Sequence, residues 1–129
     1  METTRTFDCN PGEIPAARHF VRSVLAEWGL EAGTGSLFDD VVLMASELFT
    51  NAILHGSGDV ELTVCLEDDV VRLLVVDRGA ASVPLMASSP PLEAASGRGL
   101  RIVDQLARGW GSRRHHHGGT EVWMEVPRH

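Results

Sequence analysis

Between Leu37 and His55 the chain places apolar residues at helical spacing, and into that pattern it sets polar groups that a core-facing helix ordinarily excludes. On a wheel of about 100° per residue with Met44 at zero, Leu37, Val41, Ala45, Leu48 and Ala52 share one apolar arc. Asn51 falls about 20° from the reference on one side and His55 about 20° on the other. Glu47 borders the arc one turn before Asn51, so Glu47, Asn51 and His55 recur at i, i+4 and i+8. A buried amide, imidazole or carboxylate costs several kcal/mol, roughly, unless it is paired. One such group is commonly satisfied by nearby backbone. Three in a stripe suggest that this face meets a ligand or a metal ion as well as the core.

The length, 129 residues, is that of a single domain able to bury a core. No apolar run is long enough for a membrane helix. The first residues, METTRTFDCN, lack the charged-then-apolar pattern of a signal peptide, so a cytoplasmic location is expected. A formal net charge of −7 argues against a nucleic-acid surface. All 11 basic residues are Arg. The lack of Lys removes the P-loop and Schiff-base chemistries, so any phosphate must be met by helix ends, glycine amides, Arg or a metal. Cys9 and Cys65 have no metal-ligand spacing, and Cys65 reads as a small core residue within a strand.

The pattern predicts a short strand over Thr4 to Cys9, broken by Pro11 and Gly12, and a helix from Ile14 to Trp28 ended by Gly29. Ser36 is a candidate N-cap for the second helix, with Asp39 and Asp40 favourable in its first turn. Two strands follow, Val60 to Leu66 and Val70 to Val76, joined by the tight connection Glu67, Asp68, Asp69 as a hairpin. Residues 78–98 are rich in Gly, Ala, Ser and Pro and have the composition of a mobile lid. A third helix over Leu100 to Arg108 and strands over Gly109 to Arg114 and Thr120 to Val126 complete the chain, with Trp110 and Trp123 expected on the core. These elements predict a two-layer α/β sandwich, a mixed sheet covered on one face by about three helices.

Three further pieces bear chemistry. Asp77 ends a strand in VVDRG, a way to place a carboxylate at a cleft mouth, though an Asp there also starts turns. SGRGLRIVDQL puts Gly97 and Gly99 at a helix start, where free amides favour an anion and Arg98 and Arg101 could assist. His115, His116 and His117 form a triplet with no HExxH or Cys/His framework around it. No GxSxG elbow is present.

In order along the chain, these segments resemble the GHKL-type ATP-binding domain of histidine kinases, gyrase and Hsp90-like ATPases, and most of all its branch of bacterial anti-sigma-factor serine kinases. ELFTNAILHG is similar to the N box, VVDRG to the first glycine box, GRGLRIVDQLARGWG to the second, and GGTEVWMEVP to the closing strand motif. The resemblance spans nearly the whole chain and implies the Bergerat-type fold with ATP and Mg²⁺ as ligands. It implies that Asn51 coordinates Mg²⁺ through its side-chain oxygen and that Asp77 accepts a hydrogen bond from the adenine amine. Gly79 would let the base approach the backbone. Gly97, Arg98, Gly99 and Leu100 would wrap the phosphates where lid meets helix, and Thr120 would stand near the adenine end. Glu47 matches the proposed general base. Two departures stand out: DRGAASVP keeps only the first glycine of its box, and the closing motif has no Lys.

The function so implied is phosphorylation of a serine on an anti-anti-sigma protein of the STAS fold, with a sigma factor as the other partner and a homodimer as a possible assembly. A non-catalytic, ATP-dependent interaction module would share every nucleotide contact. A histidine-kinase fragment is disfavoured, because 129 residues leave no room for a phosphoacceptor hairpin.

Overall fold

The computed structural model describes residues 1–30, 37–55, 58–77, 107–114 and 119–127. In order, these form β1 (Glu2–Phe7), a 3-10 turn (Pro11–Glu13), α1 (Ile14–Glu27), α2 (Leu37–His55), β2 (Val60–Glu67), β3 (Val70–Asp77), β4 (Gly109–Arg114) and β5 (Thr120–Pro127). Each boundary follows from local chemistry. Asn10 caps the 3-10 turn by accepting from the Gly12 amide at 2.8 Å. At the far end of α1, Gly29 has φ +77°, its N–H reaches the Ala26 carbonyl, and the Leu30 N–H reaches that of Leu25. That pair of hydrogen bonds closes the helix, and Leu30 is fully buried. Asp68 and Asp69, with φ of 51° and 64°, make the two-residue β2–β3 turn, whose positive φ values match the strand twist.

The five strands lie in the order β1-β2-β3-β5-β4. Every neighbouring pair is antiparallel, so the expected two-layer α/β sandwich stands while the sheet is antiparallel rather than mixed. The reason is topological. β3 and β4 do run in the same direction, but β5 inserts between them and opposes both. The Ser36 cap, the lid over 78–98, the His115, His116, His117 triplet and the expected third helix up to residue 106 lie outside the described residues, while Ala107 and Arg108, expected to end that helix, are not helical. β1 also begins and ends two residues earlier than its pattern suggested, because Phe7 is the last residue to pair, opposite Val60.

One face of the sheet carries the core. Val60, Leu62, Val64 and Leu66 of β2, Val71, Leu73 and Val75 of β3, and Val122, Met124 and Val126 of β5 alternate inward and are buried. α1 covers them with Phe20, Val21, Val24 and Leu25, and α2 with Val41, Met44, Ala45, Leu48 and Phe49. Phe7 joins strand and helices edge-on, its ring centroid 6.0 Å from Phe20 and 5.2 Å from Phe49. The pleat sends the alternate residues to the other face. Cys65 is therefore half-buried beside Glu67 and Arg72, not a core residue. Trp110 packs against the core as expected, but Trp123 points the opposite way. There its ring lies over Gly111, where a Cβ would stand 3.0 Å from the indole. The outer face is laced by Glu125, which accepts from Arg72 and Arg108, and by an Arg113–Glu121 pair at 3.2 Å.

Candidate functional site

α2 is the element that builds the site. Its apolar arc fixes its rotation against the sheet, and that rotation decides where the polar stripe points. Asn51 is 2% exposed, and neither its Oδ1 nor its Nδ2 has a hydrogen-bond partner among the described residues. A buried amide left in this state costs about 1–3 kcal/mol. A native fold seldom keeps such a cost without a water, an ion, a ligand or a catalytic role to account for it. Glu47, one turn earlier, is half-buried, at the border between core and solvent. His55 ends the helix, and its side chain lies outside the described part.

A short polar chain holds this turn of α2 in place. Arg18 of α1 donates from Nε to Ser46 Oγ at 2.9 Å, although Ser46 is only 5% exposed. Thr50 donates from Oγ1 back to the Ser46 carbonyl at 2.7 Å. The chain thus ties the residues directly before Glu47 and Asn51 to the neighbouring helix. Sequence periodicity could not find it, because Arg18 reads as solvated surface and Ser46 as a small interior residue.

The other candidate residues stand at the strand ends. Asp77, the last residue of β3, is 8% exposed, at an inward-facing position. Its register partners are Val60 of β2 and Thr120 of β5, the latter half-buried. Gly119, with φ +86°, lets the chain turn into β5 at this point. Cys9, which the sequence offered no reason to connect with the site, reaches the same end of the sheet. Its Sγ donates to the Ile53 carbonyl in the last turn of α2 at 3.6 Å. Burial pushes the Cys9 thiol up, and the nearby Asp77 charge pushes it further. The thiol is therefore held protonated, bridging the end of β1 to α2.

Of the residues singled out in the sequence, the structure places Glu47 and Asn51 on one turn of α2, and Asp77 and Thr120 side by side at the sheet end. Gly79, Gly97, Arg98, Gly99 and Leu100 lie outside the described residues. A metal ion fits Asn51 in one respect: its buried carbonyl oxygen is a hard, unpartnered donor of the kind that Mg²⁺ takes. Among the described residues no cluster of three or more His, Cys, Asp or Glu is placed to hold a metal ion. No helix of the described residues is long and apolar enough to cross a membrane.

Comparison with known proteins agrees with this architecture. The chain is 38% identical over 79 residues to the anti-sigma F factor of Geobacillus stearothermophilus, which covers 52% of this chain and 53% of that protein. It is 33% identical over 99 residues to the anti-sigma F factor of Clostridium acetobutylicum, covering 67% and 68%. The chain thus spans about half the length of the Geobacillus relative that it matches. Among solved structures, the SiaB-SiaC complex of Pseudomonas aeruginosa contains a chain that superposes with a TM-score of 0.59. The match covers 96% of this chain and 88% of that one at 14% identity, a likeness of fold. Residues 7–126, from the end of β1 through β5, match one family throughout, and with the two-layer fold this makes the chain a member of the histidine kinase-like ATPase domain family.

Proposed function

We propose that the chain binds Mg²⁺-ATP along α2 and the ends of β3 and β5, and that it is an anti-sigma-type protein serine kinase. On this reading it phosphorylates a serine of a STAS-fold antagonist, and the unphosphorylated antagonist draws it off a sigma factor. The observation that carries the nucleotide reading is the Asn51 amide, buried and without a partner among the described residues. The resemblance to anti-sigma F factors supports the regulatory part.

Each residue has a role that its chemistry can perform. Asp77 presents a carboxylate that accepts from an exocyclic amine, which selects adenine over a base that offers a carbonyl there. The Thr120 hydroxyl stands next to it in the ladder. The Asn51 side-chain oxygen would hold the metal, and Nδ2 would remain to donate to phosphate oxygen. Mg²⁺ would supply charge neutralisation on the phosphates when bound. Glu47 accepts the proton of the incoming serine hydroxyl as its oxygen forms the new bond to phosphorus, and ADP leaves with the electrons of the broken bond. Gly79, Gly97, Arg98, Gly99 and Leu100 complete the phosphate and base contacts in this reading.

The test is label transfer from ATP to STAS-fold proteins of the same genome. Wild type transfers, and Glu47→Ala transfers at least about 100-fold more slowly at unchanged ATP affinity. Equal transfer by both would remove Glu47 from the base role. A chain that binds ATP and transfers to none of them is the non-catalytic interaction module.

A further inference from the structure

Among the described residues, three large hydrophobic side chains are exposed: Met1 at the chain start, and Leu43 and Leu54 on α2, at 41% and 56%. Single exposed leucines are ordinary on a protein surface. These two share one side of one helix. With Met44 at zero, Asn51 lies at about −20°, Glu47 at about −60°, Leu54 at about −80° and Leu43 at about −100°. The face thus runs without a break from the buried amide, through the half-buried carboxylate, to the two exposed leucines. Leu43 is one turn before Glu47, and the leucines stand about 16 Å apart along the axis. Asp39 and Asp40 extend the same side toward the helix start, Asp39 exposed and Asp40 half-buried.

We propose that Leu43, Leu54, Asp39 and Asp40 form the docking face for the phosphoacceptor protein, which presents a basic patch flanked by apolar side chains. This rests on the kinase reading above. Continuity and charge select this occupant. A serine must reach Glu47 from the solvent side, and Leu43 is exposed one turn from that carboxylate on the same side of the helix. The acids at the helix start, in a chain of net charge −7, favour a basic partner and disfavour an acidic one. The two leucines flank the turns that carry Glu47 and Asn51 as apolar anchors, and the acids lie beyond Leu43 at the helix start as steering charges.

The probe is the STAS-fold protein that accepts label in the transfer experiment. L43Q/L54Q and D39N/D40N variants are compared with wild type for Mg²⁺-ATP affinity by calorimetry and for KM and kcat toward that protein. We expect unchanged ATP affinity, kcat within about twofold, and KM for the acceptor raised about tenfold or more in L43Q/L54Q. In D39N/D40N the rise is smaller, and KM loses most of its dependence on salt between about 0.1 and about 0.5 M. An unchanged KM in L43Q/L54Q overturns the docking face while the kinase stands. Lost ATP affinity in that variant overturns it too, by assigning the leucines to nucleotide binding. If no STAS-fold protein accepts label, the kinase reading fails and this occupant falls with it. Thermal melting confirms that the variants fold.

Discussion

Asp77 stands directly opposite Thr120, so the last residue of β3 and the first of β5 form a single rung at the end of the sheet. The acid and the hydroxyl come from distant parts of the chain and are set side by side by backbone pairing alone. Asp77→Asn keeps the shape and exchanges an acceptor oxygen for a donor amide. It should weaken ATP binding by about 10- to 100-fold in calorimetry, since one polar contact in a buried site is replaced by a mismatch. Thr120→Val should cost less, about threefold to tenfold. Unchanged affinity in Asp77→Asn would place adenine elsewhere.

Asn51→Leu should move stability and binding in opposite directions. The amide is buried without a partner among the described residues, so a near-isosteric apolar side chain removes a desolvation cost. Without ligand, denaturant unfolding should show equal or greater stability, by up to about 2 kcal/mol. Mg²⁺-ATP affinity should fall about 100-fold or more. Strong destabilisation without ligand would mean that the amide belongs to a structural network instead.

The outer face has its own sensitive point. A methyl group at Gly111 would meet the Trp123 ring at 3.0 Å on three atoms, so Gly111→Ala must displace the indole. A loss of about 1–3 kcal/mol is expected, with a shift in tryptophan emission. Adding Trp123→Ala should recover part of that loss, because the two sites share one contact. Additive effects would show that the ring does not rest on the glycine.

Acid should weaken the same face. The Arg72 hydrogen bond holds the Glu125 carboxyl below the usual carboxylate range, and Arg108 adds to it. A carboxylate with a depressed folded pKa stabilises fully above the unfolded value and loses that contribution as pH falls through the folded one. Arg72 is half exposed, so solvent screening limits the contribution to about 1 kcal/mol. The stability gap between wild type and Glu125→Gln should be of that size near neutrality and close as pH drops below about 4. A gap that persists at low pH would assign it to packing.

The parts legible in the sequence were those with a local signature. The α2 stripe, the Asp68–Asp69 turn and the inward alternation of β2 each follow from spacing within one segment. The order β3-β5-β4 does not, because a strand that slides between two others leaves no mark on its neighbours' periodicity. The same gap explains Trp123. Its residue type favours a core, but its parity in β5 sends it to the open face, and only the register with Gly111 shows what it rests on. For the site, Glu47 and Asn51 were visible as misfits on a wheel. Ser46, Arg18 and Cys9 were not, since each acts across elements through one hydrogen bond.

The inserted position of β5 also sets a timetable for assembly. β3 and β4 cannot meet each other, and both wait for the strand that comes after them. A nascent chain that ends before Thr120 already holds Glu47 and Asn51 on α2 but has no partner for the inner edge of β3. On the proposed function the base is held at the Asp77–Thr120 rung, which exists only once the last strand has paired, so a partly made chain would offer nucleotide no complete seat. Nucleotide binding would then report a finished sheet, and chains truncated before Thr120 should fail to bind however well their helices form.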